Sequence, residues 1–278
     1  MAAVHTLQQL DAALPEAIVV AREIRQCGQR IVYEVEVEGE KRVLKLMDPR
    51  MRNRAEREVA LANRFDHPNL ARILDDQLRD LTIGNVGWVY FTEEFIAGTS
   101  LDERDGQLDA CEALALAADL VEAVKYLWER NVVHRDIKPA NIMETPAGSF
   151  VLLDVGIGRH QDLTTITNMA ADHGPGTTGY LAPEQLQPLK GRELDYRADL
   201  FAIGIVLFEQ LTGRVPFDPS AGSYRTRLTT GIITGLDDVP EAMREILRRL
   251  LAARPHGRFR LDKVTPAIND LQTRLQCS

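Results

Sequence analysis

Between residues 17 and 47, apolar and polar positions alternate in short runs. Ile18-Val-Val-Ala-Arg-Glu23, Ile31-Val-Tyr-Glu-Val-Glu-Val37 and Arg42-Val-Leu-Lys-Leu-Met47 are rich in β-branched residues, with turn material such as Glu38-Gly39-Glu40 between them. Such runs read as strands. The period then changes. Residues 51–65 repeat apolar positions at helical spacing until Asp66-His67-Pro68-Asn69 stops the pattern. Two more strand candidates follow, Leu70–Leu74 and Val86–Phe95. Beyond Ala97-Gly98-Thr99 helical periods dominate, at 108–130, 197–212, 240–253 and 262–276. Strand-like pieces at 132–134, 142–144 and 150–153 interrupt them. No internal repeat or low-complexity tract is present. Strands first and helices second predict an α+β protein of two lobes joined near 95–99. One continuous α+β domain is the alternative that spacing leaves open.

The same periods single out two charged side chains. Alternation puts Lys45 on the face of Val43 and Met47. In the helix, Glu58 shares a stripe with Leu61, Ala62 and Phe65, at i+3, i+4 and i+7. Glu56 faces Ala60 and Asn63 instead. Glu58 is therefore the inward carboxylate, with a surface salt bridge as its bland alternative.

Composition narrows the function classes. The 278 residues carry a formal charge of -8, with 45% apolar and 27% charged residues. An acidic balance argues against a nucleic-acid backbone or an anionic membrane as partner. The longest apolar run, Phe201 to Phe208, is far short of a membrane span. The first residues show no basic or apolar region of a signal peptide. Three cysteines, Cys27, Cys111 and Cys277, lack metal or redox spacing. They point to a reducing, cytoplasmic setting. Arginine greatly outnumbers lysine, a coding bias that suggests a bacterial source.

The densest chemistry lies in His134-Arg-Asp-Ile-Lys-Pro-Ala-Asn141. This segment resembles the catalytic loop of eukaryotic-type Ser/Thr protein kinases. The resemblance runs in register from about residue 17 to 270. It implies a two-lobed protein kinase fold: a small, mainly-β N-lobe with one helix (17–97) and a larger, mainly-α C-lobe (98–272). An extension (1–16) and a tail (273–278) flank them. It implies transfer of a phosphoryl group from ATP, with Mg2+, to Ser/Thr hydroxyls of protein substrates, and self-association for trans-autophosphorylation.

Phosphoryl transfer needs positioning and charge neutralisation more than covalent chemistry. By the resemblance, Asp136 orients the attacking hydroxyl and takes its proton, and Lys138 is a cation near the γ-phosphate. Asn141 and Asp154 are hard oxygen ligands for magnesium. Lys45 meets the α/β-phosphates and pairs with Glu58. Glu94 to Ile96 form the hinge that binds adenine through backbone groups, and Val32, Val43 and Met143 line the ring's site. Asp199 braces the catalytic loop, Arg258 pairs with Glu184, and Thr177 touches the catalytic base. Arg135 would grip a phosphate on Thr164, Thr165 or Thr167 of the segment from Asp154 to Glu184.

The sequence also departs from the family. In the three glycine places of the phosphate-covering loop stand Arg25, Cys27 and Arg30, and only Gly28, one residue off, remains. Either the arginines supply charge where amides are lost, or nucleotide binding is weakened. A pseudokinase, an ATP-binding or scaffold module, is the runner-up reading. Asp154-Val155-Gly156 stands where the family has Asp-Phe-Gly. The residue before the hinge reads Glu93, or Thr92 if the register slips by one.

Overall fold

The computed structural model describes residues 5–27, 30–155, 177–186, 194–217 and 224–277. Two compact units divide the chain. Of the described residues, the first holds those up to Asp66 and Leu70–Ile96; the second holds His67–Asn69 and those from Ala97 onward.

In the first unit, β1 (Ile18–Cys27), β2 (Arg30–Val37), β3 (Glu40–Met47), β4 (Arg79–Ile83) and β5 (Val86–Glu94) form an antiparallel sheet in the order β1-β2-β3-β5-β4. The register places Val32 opposite Lys45 and Lys45 opposite Phe91. Side chains alternate across a pleated strand, so this one register sorts two faces. Ile31, Tyr33, Val35, Leu44, Leu46, Trp88 and Tyr90 share one face and are buried with Leu10 and Leu14. Arg30, Val32, Val43, Lys45, Phe91 and Glu93 lie on the other. On a separate segment, α2 (Arg52–Ala62) buries Ala55, Glu58, Val59 and Ala62.

Leu10 belongs to α1 (Leu7–Ala13). Its start is fixed by a capping box in which Thr6 Oγ1 accepts from Gln9 N–H and Gln9 Oε1 accepts from Thr6 N–H. This helix lies within the 1–16 extension, outside the 17–97 stretch for which one helix was expected, and it covers the core of the strand-rich unit. Only Leu10 of α1 is buried, too short a signal for periodicity to register. A correction concerns 70–74. This stretch is not a continuous strand: only Leu70 and Ile73 are bridge positions, Ile73 with Glu93. Leu74 N–H donates to Thr92 O, and Glu94 N–H to Arg72 O. The rest of that β5 edge pairs with β4, which was not anticipated.

The second unit is built around α3 (Ala110–Trp128) and α4 (Tyr196–Thr212). Asp109 caps α3 and Asp195 caps α4. Nearly every residue of α4 is buried, as its all-round apolar sequence demands. A Cβ on Gly204 would sit 2.8 Å from Leu250 Cβ, so only glycine lets the neighbouring segment approach. Further helices are α5 (Tyr224–Thr230), not foreseen, α6 (Glu241–Leu250) and α7 (Leu261–Leu275). A small sheet joins β6 (Thr99–Ser100), β7 (Ile142–Glu144) and β8 (Phe150–Leu152). Residues 132–134 are not the expected strand. The backbone N–H of His134 goes to a side chain, as described below, and not to a neighbouring strand.

The cysteine reading also changes. Cys111, in the first turn of α3, forms a disulfide with Cys277, 166 positions along the chain. Among the described residues no helix is long and apolar enough to cross a membrane.

Candidate active site

The expected site residues fall in both units. In the strand-rich unit, Lys45 projects from β3 with its Nζ 2.5 Å from Glu93 Oε1. Both side chains are buried. Burial pushes the Lys45 ammonium below its usual range and Arg30 adds to the push, whereas Glu93 and Glu58 act against it. Glu58 is buried on α2, and its Oε2 accepts from Arg30 Nη2 at 3.0 Å. Two cations and two carboxylates thus gather where β2, β3, β5 and α2 meet.

The register puts Thr92 and Glu93 on opposite faces of the sheet. Thr92 lies on the face of Trp88 and Tyr90, and its N–H and Oγ1 both donate to Asp75 Oδ2, at 2.6 and 2.8 Å. Glu93 lies on the face of Lys45. Val32 and Val43 share that face and are half-buried. Glu94 is half-buried too, and its carboxylate accepts from Arg72 Nε at 3.3 Å. Ile96 ends the unit, half-buried. Gly28 lies outside the described residues.

In the helical unit, Asp136, Lys138 and Asn141 are brought together. Lys138 Nζ is 3.2 Å from Asp136 Oδ2. Asn141 Nδ2 donates to Asp136 Oδ2 at 3.0 Å and to Asp136 O at 2.9 Å. This leaves Asn141 Oδ1 as the oxygen that the amide offers elsewhere. The loop is held from below by Asp199 at the start of α4. Its Oδ2 accepts from His134 N–H and its Oδ1 from Arg135 N–H, each at 2.8 Å. Asp199 is buried, and desolvation pushes its carboxyl up to about 7 despite those two donors.

Arg135 and Asp154 have φ of 69° and 54°, the left-handed region that side chains other than glycine seldom adopt. Strained backbone of this kind persists only where surroundings over-determine it. The network that fixes Arg135 is the Asp199 clamp. Beside Asp154, Leu153 N–H donates to Asn141 O at 2.8 Å and Leu153 O meets His134 Nε2 at 3.1 Å. Met143 sits half-buried on β7 opposite Val151. Arg258 and Glu184 form the expected pair in two parallel contacts, Nη1–Oε1 at 2.6 Å and Nη2–Oε2 at 2.9 Å. Such a fork is geometrically specific. Thr164, Thr165 and Thr167 lie outside the described residues.

Sequence reasoning missed the Lys45–Glu93 and Arg30–Glu58 pairs. The period-two pattern that marked Lys45 applies equally to Glu93 and Arg30, once a register links the strands.

Comparisons with known proteins agree with this arrangement. The family description "Protein kinase domain" matches residues 32–267. Serine/threonine-protein kinase PrkC of Bacillus subtilis is 32% identical over 215 residues, covering 74% of this chain and 31% of PrkC. Serine/threonine-protein kinase PknB of Mycobacterium leprae is 33% identical over 174 residues, covering 61% of this chain and 27% of PknB. The chain thus spans about a third of the length of these curated relatives. Among solved structures, Rad53 1-466 in complex with AMP-PNP superposes with a TM-score of 0.74 at 21% identity. That match covers 94% of this chain and 68% of the Rad53 chain.

Proposed function

We propose, from the premise that this chain belongs to the protein kinase family and is of the bacterial serine/threonine type, that it transfers the γ-phosphoryl group of ATP to Ser/Thr hydroxyls of proteins. The observation that carries this reading is the buried loop in which Asp199 holds the backbone and Asp136, Lys138 and Asn141 cluster within 3.2 Å. A polar cluster of this kind on a clamped backbone is prepared for charge and proton handling.

In the proposed reaction Asp136 Oδ accepts the proton of the substrate hydroxyl as its oxygen attacks the γ-phosphorus, and ADP leaves. Lys138 neutralises charge on the transferring group and Lys45 on the α/β-phosphates. Val32, Val43, Met143, Glu94 and Ile96 form the adenine site. The donor set suits magnesium: Asn141 has its amide nitrogen spent on Asp136, and Asp154 adds a carboxylate. Magnesium, held by those two residues, would neutralise phosphate charge.

Further members of the same proposal are autophosphorylation in trans on the segment after Asp154 and a cytoplasmic site of action. The Cys111–Cys277 bond is the observation against which that location is tested, by thiol labelling in intact cells.

The function is tested by transfer of label from γ-labelled ATP with magnesium, to the protein itself and to a lysate of its source. Lys45→Ala and Asp154→Asn should each abolish transfer while circular dichroism stays unchanged. Transfer at the wild-type rate in either variant sinks the role assignment. Nucleotide binding with no transfer in the unaltered protein would mark a scaffold instead.

A further inference from the structure

The end of β5 makes a buried carboxylate contact that the proposed reaction does not use. β4 starts at Arg79, which pairs with Tyr90. Beyond Tyr90, β5 runs on through Phe91, Thr92 and Glu93 toward the hinge without β4 beside it. Residues 72–74 fill part of the gap. Leu74 N–H donates to Thr92 O at 2.9 Å, Glu94 N–H donates to Arg72 O at 2.8 Å, and Ile73 bridges Glu93. Thr92 N–H meets a side chain instead.

That side chain is Asp75. Its Oδ2 accepts from Thr92 N–H at 2.6 Å and from Thr92 Oγ1 at 2.8 Å. Its Oδ1 accepts from Arg79 Nε at 2.9 Å. Asp75 and Thr92 are only 8% and 3% exposed, so the contact is made away from water, where an unmet N–H is costly. Hydrogen bonds to an ionised acceptor are also shorter and stronger than neutral ones. The next residue, Asp76, is exposed. Asp75 thus closes the turn between residues 72–74 and β4 onto β5 through one carboxylate.

Glu94 stands two positions beyond Thr92, where the hinge begins. Both residues send their N–H toward residues 72–75, one to a carbonyl and one to a carboxylate. These two acceptors set the course of the chain as it enters Glu94–Ile96. Resting on the kinase reading above, we propose that Asp75 is a positioning residue for the adenine site. Its carboxylate stands in for a missing strand neighbour and fixes the end of β5, so that the hinge backbone is held where it reads the base. Asp75 acts through the main chain and does not touch the nucleotide. Binding groups need such support to stay within a fraction of an ångström of their working geometry.

The test compares two nucleotides that differ at the base edge. Inosine triphosphate (ITP) carries a 6-oxo group and an N1–H where ATP carries a 6-amino group and a bare N1. It therefore reverses the donor and acceptor pattern that faces the hinge. Each is used, with magnesium, to displace the fluorescent nucleotide mant-ATP. A general loss of stability lowers both affinities alike, whereas a displaced hinge lowers that for ATP alone. Asp75→Ala should lower the ATP-to-ITP affinity ratio about tenfold, on the order of one lost hydrogen bond. Asp75→Asn keeps an amide oxygen for Thr92 N–H and should recover most of the ratio. Thr92→Val removes only the hydroxyl donor and should keep it. Amide hydrogen exchange at Thr92 and Glu94, read without nucleotide, should quicken in Asp75→Ala and stay slow in Thr92→Val.

A wild-type ratio in Asp75→Ala, or equal losses for ATP and ITP, overturns the proposal. Should Asp75→Ala fail to fold, Asp75→Glu takes its place. It keeps both acceptors one methylene further out and should lower the ratio more than Asp75→Asn does; a wild-type ratio there overturns the proposal too. If the unaltered protein prefers ATP to ITP but transfers no phosphoryl group, the functional reading fails, and a fallen ratio in Asp75→Ala still upholds this one. No preference for ATP over ITP in the unaltered protein overturns this one, whatever transfer is seen.

Discussion

Asp199 shows how a single residue ties the site to the core. It lies in the first turn of α4 and sends both carboxylate oxygens to backbone N–H groups of the catalytic loop. Desolvation nevertheless dominates and raises its carboxyl to about 7. An unfolded aspartate titrates near 4, so between about pH 4 and about 7 the folded state holds a proton that the unfolded chain has lost. The stability contributed by this group is full at the acid end and is lost as pH rises through about 7. Urea midpoints followed from pH 4 to 8 should therefore fall with pH more steeply in the unaltered protein than in Asp199→Asn. Parallel pH profiles would remove Asp199 as the source. The residue is visible in the sequence as part of Asp199-Leu-Phe-Ala-Ile-Gly204. Its two backbone donors, more than sixty positions upstream, are not.

Elements behaved according to how strongly their own period speaks. The long helices α3, α4 and α7 each begin or end within a few residues of the expected bounds, because many apolar positions vote together. Short elements did not. β4 has only Leu81 and Ile83 buried among charged neighbours, and α1 only Leu10. Both exist because another element covers or pairs with them. α4 also shows what a buried element demands of its neighbours. Its Gly204 faces Leu250 and Leu251 with no room for a methyl group. Gly204→Ala gains helix propensity but forces that contact apart, a net loss of about 1–3 kcal/mol. Chemical denaturation should show a lower midpoint at unchanged m. Equal or greater stability would mean that Leu250 and Leu251 repack freely.

On the scale of the whole molecule, the Cys111–Cys277 bond ties the first turn of α3 to the residues just after α7. Closing so long a loop restricts the unfolded chain, and native disulfides of this kind contribute about 2–4 kcal/mol. A reductant should lower Tm by several degrees, and Cys111→Ser should show the lowered Tm with no further response. An unchanged Tm in the reductant would show that the bond carries no stability. Sequence alone gave the α+β class, pointed Lys45 and Glu58 inward and fixed the spacing of Asp136, Lys138 and Asn141. Each of these depends on a period or an interval inside one segment, and a segment carries its own period wherever it is placed. Tertiary structure decided the rest. It joined two cysteines 166 positions apart, turned Glu93 and not Thr92 toward Lys45, and gave Glu58 an arginine partner. Those outcomes depend on cross-strand register and on which element packs against which. Both are set by burial over the whole unit, and no local run of residues records them.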